Sequence, residues 1–174
     1  TRHEFDRLTR VDPETLTDLQ RAARFLYLQR VAFGGKVTGR NFGMDTGRAR
    51  FNLSQLEPML EDLHERLSGG VIERLPFDRF IDRYDGSGTL TFCDPPYWGC
   101  ETDYGEAMFS PADHARLRDR LAAVQGRFIL TINDVPEIRA LYADERFSIE
   151  PVGVTYSISS TPTAARELII TGGG

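Results

Sequence analysis

An acid followed by two prolines, at the end of an apolar run, constrains the fold of this chain more than any other feature. The run Leu90–Cys93 leads into Asp94, Pro95, Pro96 and Tyr97. Two consecutive prolines cannot continue a strand or a helix, because each fixes φ and lacks a backbone N–H. An acid at the end of a buried strand costs free energy unless it is paired or used. We therefore expect a strand that ends at a sheet edge, with Asp94 held rigidly just beyond it.

The composition is that of a soluble globular protein. The chain has 174 residues, of which 40% are hydrophobic, and this is enough to bury a core of ordinary size. No apolar run reaches roughly eighteen residues and no apolar signal segment is present at the start, so we expect neither membrane insertion nor secretion, and a cytoplasmic location. Cys93 and Cys100 match no metal-ligand spacing, so we expect reduced thiols and no metal site.

Positive charge is concentrated in one segment. Between Arg21 and Phe51 the chain carries seven basic residues and one acid, whereas its overall net charge is −5. Such a segment in an acidic protein favours a polyanion as partner at this one place. An arginine-rich helix and loop exposed to solvent, without a partner, would have the same composition, so charge alone leaves both interpretations open.

The N-terminal part is predicted to be mainly helical. Asp12 and Pro13 predict the N-cap and the first turn of a helix that continues to about residue 30. The glycine-rich stretch that follows predicts a turn or an irregular hairpin. Ser54 and Glu57 predict a capping box for a second helix, whose leucines form one apolar stripe that we expect to lie in the core.

Short strands and helices alternate from residue 71 onward. We predict strands at 71–75, 89–93, 127–133, 147–152, 155–159 and 167–171, and helices at 77–84, 110–125 and 134–142. This alternation predicts an α/β fold with a mostly parallel sheet and an antiparallel ending. Ligands of such sheets bind beyond the carboxyl ends of the strands, which is where Asp94 and Asn133 are expected. The change of pattern divides the chain into two regions, 1–70 and 71–174.

The residues after the apolar run suit a planar group that carries an amine. The Asp94 carboxylate and the Pro95 carbonyl are two acceptors, and Tyr97 offers a flat face. Two acceptors, one for each N–H, would favour the pyramidal amine nitrogen whose lone pair can attack, and would stabilise the positive charge that develops on it. The structural alternative is an acid that caps the following turn, with Tyr97 and Trp98 packed in the core.

Four segments resemble one enzyme family. "DPPY" after a strand resembles motif IV of amino methyltransferases that use S-adenosylmethionine, and the Asp variant resembles the N6-adenine DNA methylases. Residues 21–43 are similar to the target-recognition segment of Dam-type, or alpha-class, DNA adenine methylases. "LTIND" (130–134) and "TYSISS" (155–160) resemble later segments of the same family. The resemblance implies part of a Rossmann-like methyltransferase sheet, in region 71–174, with a helical target-recognition region before it.

The resemblance also implies an activity and a set of site residues. It implies site-specific methyl transfer from S-adenosylmethionine to the N6 amine of adenine in double-stranded DNA. Asp94 and the Pro95 carbonyl would hold the amine, the rigid Pro95 and Pro96 would fix that carbonyl, and Tyr97 would stack on the adenine after it leaves the duplex. The cofactor would contact Asp94, with Pro76 and Phe77 beside its adenine. The residues implied to contact DNA are Arg30, Phe33, Lys36, Arg40 and Asn41.

One part of the family pattern is not found in this sequence. The family carries a glycine-rich turn after its first strand, where the cofactor's methionine and ribose lie, and no glycine cluster here follows a predicted strand and opens a helix. The resemblance therefore covers the C-terminal two-thirds of a methylase, and we expect a missing N-terminal segment or a second chain to complete the sheet. Two other functions stay open: a DNA-binding module without catalysis, and an amino methyltransferase acting on RNA or on cytosine.

Cofactor binding by the isolated chain can be measured directly. Since the chain lacks the family's glycine-rich turn, we expect the isolated 174 residues to bind S-adenosylmethionine weakly and not to methylate DNA. Isothermal titration calorimetry checks this expectation, and micromolar affinity would contradict it.

Overall fold

The computed structural model describes residues 1–33, 39–43, 51–101, 108–156 and 163–174. They form two compact units, Thr1–Glu73 and Arg74–Gly174. Within these described ranges no helix combines the length and the apolar composition that crossing a membrane requires.

The first unit is built from helices. Helix α1 spans Arg2–Arg10, α2 spans Asp18–Val31 and α3 spans Leu53–Leu67, with a single 3-10 turn at Pro13–Thr15 between α1 and α2. Aromatic rings pack at its core, where Phe5 meets Phe42 edge-to-face at a centroid distance of 5.5 Å.

The start of α2 differs from the prediction. Asp12 accepts the Glu14 N–H and caps only the 3-10 turn, after which the backbone is extended at Leu16. The helix then begins at Thr17, whose side chain and that of Gln20 form a complete capping box. Because a capping box satisfies two backbone donors and an isolated Asp cap satisfies one, it defines the stronger helix start.

The second predicted helix is present, but its cap and its environment differ from the prediction. The N-cap of α3 is Asn52, which accepts the Ser54 N–H, so Ser54 is not the cap. Leu56 is buried, whereas the four other apolar residues of the stripe are 43–53% exposed. These four are Met59, Leu60, Leu63 and Leu67. The periodicity identified the helix correctly but not the burial of its apolar face.

The second unit is an α/β fold, as predicted. Its elements in chain order are α4 (Phe77–Tyr84), β1 (Leu90–Cys93), α5 (Pro111–Leu121), β2 (Arg127–Asn133), α6 (Pro136–Leu141), β3 (Phe147–Tyr156) and β4 (Thr163–Gly173). The sheet order is β1-β2-β4-β3, with β1 parallel to β2 and the other two pairs antiparallel. The antiparallel ending is therefore confirmed, whereas the prediction of a mostly parallel sheet is wrong for the described strands, which form one parallel and two antiparallel pairs.

Two strand predictions are wrong in detail. Residues 71–75 are not a strand, and the described sheet holds no ladder that includes them. The strands predicted at 147–152 and 155–159 are one strand that continues to Tyr156. β3 pairs only with β4 in the described part of the sheet, and an edge strand is where a proline such as Pro151 is tolerated.

The core of the second unit lies against one face of β2. Phe128, Leu130 and Ile132 alternate along the strand and are 0–1% exposed, in one cluster with residues of the helices. Thr131 and Asn133 lie on the opposite face, because successive side chains of a strand point to opposite sides. The polar face of β2 is therefore available to the loop that follows β1.

Substitution of Gly126, in the turn before β2, tests how closely this turn packs against neighbouring backbone. A Cβ at Gly126 would lie 2.4 Å from the Thr89 carbonyl oxygen and 2.6 Å from that of Gly86. Both atoms belong to the backbone, so we expect Gly126→Ala to lower the free energy of unfolding by about 1–3 kcal/mol, as measured by urea denaturation. Gly88→Ala is the control, since nothing lies within 4 Å of its Cβ; equal losses in the two variants would contradict the packing.

Candidate functional site

The motif Asp94 to Tyr97 begins where β1 ends, next to β2. Cys93 is paired with Leu130 in the parallel register, which brings Asp94 beside Thr131. The Thr131 hydroxyl donates to Asp94 Oδ1 at 3.0 Å. The side chain of Asp94 is therefore oriented by β2 and remains exposed.

Asn133 attaches the backbone of the same loop to β2. Its Oδ1 accepts the Trp98 N–H at 2.9 Å, and its Nδ2 donates to the Trp98 carbonyl at 3.0 Å. One amide side chain thus satisfies both backbone groups of a residue that the two prolines exclude from regular structure. We predicted from the sequence that Asn133 lies at this edge, but we predicted no role for it and did not predict the contact of Thr131. Both polar residues alternate along β2 with the buried apolar residues, and this alternation is the sequence signal that places them on the opposite face.

A cavity of about 300 Å³ lies beside the motif. Asp94, Pro95 and Pro96 line it together with aromatic residues that include Phe77 and Phe109, whose ring centroids are 5.9 Å apart. The structure therefore brings Phe77 to the same cavity as the motif. Pro76 is not brought there: it is the exposed N-cap of α4 and is not among the described residues that line the cavity.

Glu167 of β4 is paired with Asn133 of β2 at the same edge of the sheet. The Tyr156 hydroxyl at the end of β3 donates to the Glu167 carboxylate, and this bond is the main reason why the pKa of Tyr156 rises to about 12. Burial raises the pKa of Tyr97, and the Glu167 carboxylate raises it further. Both phenols are therefore neutral at neutral pH. The sequence gave no role to Glu167.

The turn after the motif is fixed to α5 by a buried pair. Glu101 Oε1 lies 3.3 Å from His114 Nε2 and accepts the Gly99 N–H at 3.1 Å. Burial lowers the pKa of His114 despite the nearby carboxylate. Burial alone would raise the pKa of Glu101, but hydrogen bonds from the backbone and from His114 lower it below its usual value. At neutral pH the pair is an ionised acid and a neutral imidazole.

The residues expected to contact DNA lie in the first unit. Phe33 is 57% exposed, and its N–H donates to the Asn41 carbonyl at 2.8 Å beside an antiparallel bridge. The Arg40 guanidinium lies 5.8 Å from the centroid of the Phe25 ring. Arg30 is half-buried on α2, and Lys36 lies outside the described residues. Phe33, Arg40 and Asn41 thus lie next to the antiparallel bridge between Ala32 and Phe42.

The sequence matches one protein family over most of its length. The family described as D12 class N6 adenine-specific DNA methyltransferase matches residues 1–158. The chain belongs to this family. Membership confirms the resemblance drawn from the motifs.

Three relatives support this assignment. The chain is 30% identical to "Type II methyltransferase M.CviBI" of Paramecium bursaria Chlorella virus NC1A over 75% of its own length and 50% of the relative. It is 32% identical to the "DNA N-6-adenine-methyltransferase" of Escherichia phage P1, over 82% of this chain and 20% of the relative. It is 28% identical to "Type II methyltransferase M1.LlaDCHI" of Lactococcus lactis subsp. cremoris, over 97% of this chain and 63% of the relative. The aligned part therefore spans between a fifth and about two thirds of these proteins.

Removing the Asn133 amide tests the attachment of the loop. Asn133→Ala leaves both backbone groups of Trp98 without their partner, so we expect the free energy of unfolding to fall by about 1–3 kcal/mol. The Trp98 amide should also exchange faster in hydrogen-exchange NMR. Gln125→Ala removes an exposed side chain and serves as the control. Unchanged exchange at Trp98 in Asn133→Ala would contradict the attachment.

Proposed function

We propose that this chain supplies the adenine-binding part of an enzyme that transfers a methyl group from S-adenosylmethionine to the N6 amine of adenine in double-stranded DNA. The observation that carries the proposal is the exposed Asp94 carboxylate, oriented by Thr131 at the end of β1 in a family specific for adenine N6. An exposed acid with a fixed orientation, next to a proline carbonyl, is suited to an amine that comes from a ligand.

In the proposed mechanism the protein activates the amine through hydrogen bonds. Asp94 and the Pro95 carbonyl each accept one N–H of the adenine amine, which frees the nitrogen lone pair to attack. They also stabilise the positive charge that develops on the nitrogen. Asp94 need not be a strong base, because the methylated nitrogen is acidic and loses its proton late. The hydrogen bond from Thr131 keeps the carboxylate from rotating away.

We propose the cavity beside the motif as part of the cofactor site. Its lining is predominantly apolar with aromatic rings, and Asp94 supplies a polar edge. This chemistry fits the purine ring of S-adenosylmethionine, and its volume of about 300 Å³ is at the lower end of ligand pockets. Phe77 would contact that ring, with Pro76 before it on the chain, and Asp94 would lie near the reacting end. When bound, S-adenosylmethionine supplies an electrophilic methyl group on a sulfonium.

We propose the first unit as the target-recognition region, within the predicted region 1–70. Arg30, Lys36 and Arg40 would contact phosphates or guanine edges, and Phe33 would stack or wedge between bases. Asn41 would contact DNA next to Phe33. The exposure of Phe33 and the local excess of positive charge support this proposal.

The edge of β1 supports the proposal that a further strand completes the sheet. β1 pairs only with β2 among the described strands, and its Leu90 and Phe92 are 57% and 64% exposed. An apolar, unpaired edge favours the addition of a strand from elsewhere in the polypeptide or from a second chain. The calorimetric experiment extends to this proposal: cofactor affinity should increase in the longest open reading frame that contains these residues.

Substitution of Asp94 tests the proposed activity in that longest reading frame. We expect Asp94→Ala to lower methyl transfer to adenine-containing duplexes at least about 100-fold, with duplex affinity unchanged. The assay combines labelled-methyl incorporation with DNA binding measured at several salt concentrations.

Asp119→Ala, which removes an exposed carboxylate of α5, is the matched control and should methylate normally. Full activity of Asp94→Ala would contradict the proposal. Salt-dependent binding without methylation by the unmodified protein would instead identify a non-catalytic DNA-binding module.

A further inference from the structure

A buried histidine of α5 packs against the turn that follows the motif. His114 is 1% exposed, and the proposed mechanism gives it no task. Its ring contacts two aromatic side chains, with centroid distances of 5.2 Å to Trp98 and 4.8 Å to Phe109. Trp98 directly follows the motif, and Phe109 lines the cavity beside it. His114 therefore lies in the wall that supports the proposed site.

The polar edge of this histidine is bound to a buried carboxylate. His114 Nε2 lies 3.3 Å from Glu101 Oε1, and Glu101 is only 8% exposed. An ionised carboxylate can only accept, so Nε2 carries the hydrogen in this pair. The same Oε1 atom accepts the Gly99 N–H at 3.1 Å. Two successive hydrogen bonds thus connect α5 to the backbone of the turn.

The turn itself begins at the last residue of the motif. The Cys100 N–H donates to the Tyr97 carbonyl at 2.8 Å, which closes a turn of four residues. Gly99 has a φ of 84°, the conformation that the third position of a type II turn requires. The amide side chain at the end of β2 binds Trp98 at the second position. Both central residues of the turn are therefore held by side chains from outside it.

We infer that His114 is a positioning residue, which acts through Glu101 to keep this turn closed and so holds Tyr97 ready to stack on the target adenine. Without the Nε2 donor, the buried carboxylate loses a partner, and rotation to solvent or uptake of a proton becomes favourable. Either change weakens its bond to the Gly99 N–H, because a charged acceptor binds more strongly than a neutral one. The turn then opens more often, and ordering it again when the base binds costs affinity.

This inference rests on the proposed function, because it assumes that an adenine stacks on Tyr97. It deepens that function by assigning a task to His114 and Glu101, which need not touch the substrate. A purely structural pair would change only the stability of the fold. A positioning pair changes how well the folded protein holds an unpaired adenine.

Two substitutions of His114 separate its hydrogen bond from its ring. His114→Phe keeps a ring and removes the donor, whereas His114→Gln keeps an amide N–H donor. The assay measures affinity for a duplex whose target adenine lies opposite an abasic site, in the longest reading frame that contains this sequence. His114→Phe should weaken this binding about 10-fold, the upper end of what one immobilised side chain contributes. His114→Gln should stay within about threefold of the unmodified protein.

Affinity for a duplex that lacks the target site should stay unchanged in both variants. Normal binding of the unpaired adenine by His114→Phe would overturn the inference, and so would a His114→Gln variant that binds it as weakly as His114→Phe.

Leu121→Ala is the matched control for stability. Leu121 is 1% exposed and lies seven residues after His114 in α5, on the same face of the helix. Its truncation should lower the free energy of unfolding but leave adenine affinity unchanged at a temperature where every variant is folded. An equal loss of adenine affinity in Leu121→Ala would mean that stability alone explains the effect, and the inference would fail.

A double-mutant cycle tests the route through the carboxylate. Glu101→Ala removes the acceptor of the Gly99 N–H, so it should weaken adenine binding as His114→Phe does. Adding His114→Phe to Glu101→Ala should cause no further loss, because both act on the same contact. Fully additive losses would overturn the inference. The single Glu101→Ala variant keeps it testable if His114→Phe does not fold.

Hydrogen exchange measured without DNA separates this inference from the proposed function. The Gly99 and Cys100 amides should exchange faster in His114→Phe than in the unmodified protein, and His114→Gln should restore most of the protection. A Cys100 amide that stays protected in His114→Phe would overturn the inference, because the turn would then close without the pair. If the unmodified protein binds the unpaired adenine no better than other DNA, the proposed function fails, while the exchange rates still test the turn.

Discussion

The attachment of the Asp-Pro-Pro-Tyr loop to β2 is the interaction on which the site depends. The prolines exclude this loop from helix and sheet, so its polar groups need partners from another element. Thr131 and Asn133 supply them from one face of β2, at 3.0 Å to Asp94 and at 2.9 and 3.0 Å to Trp98. The opposite face of the same strand forms the core. One strand therefore anchors both the hydrophobic core and the polar site, and a change in its register would disrupt both.

The remaining polar groups extend this attachment in two directions. Glu101 and His114 fix the turn after the motif to α5, and the Glu167 carboxylate of β4 accepts the hydroxyl of Tyr156 at the end of β3. Each contact joins residues of different segments, so the site forms only when the sheet and α5 are in place. Such preorganisation keeps Asp94 exposed yet oriented, and this combination suits a carboxylate that binds an external amine.

Local sequence signals predicted the elements that are continuous in the chain. The bounds of α4 and β2 match the prediction, since each has a local boundary signal. The N-cap Pro76 precedes α4, and Pro136, three residues after the end of β2, begins the next helix. The prediction failed where contacts with another segment of the chain determine the local structure. Residues 71–75 have the composition of a strand but join no strand of the described sheet, and α2 begins at Thr17 because its capping box competes successfully with the Asp12 cap. The apolar stripe of α3 predicted the helix correctly, but periodicity alone could not predict how much of that stripe is buried.

The sequence by itself determined the family and the chemistry of the motif, because Asp94, Pro95, Pro96 and Tyr97 are adjacent and their order is specific. It also determined the α/β alternation, which depends on local periodicity. Only the tertiary structure decided which groups orient that motif. Thr131 and Asn133 lie 34 or more positions beyond Tyr97, and their contacts follow from strand order and register. Both are set by the packing of the whole sheet, which no short stretch of sequence encodes.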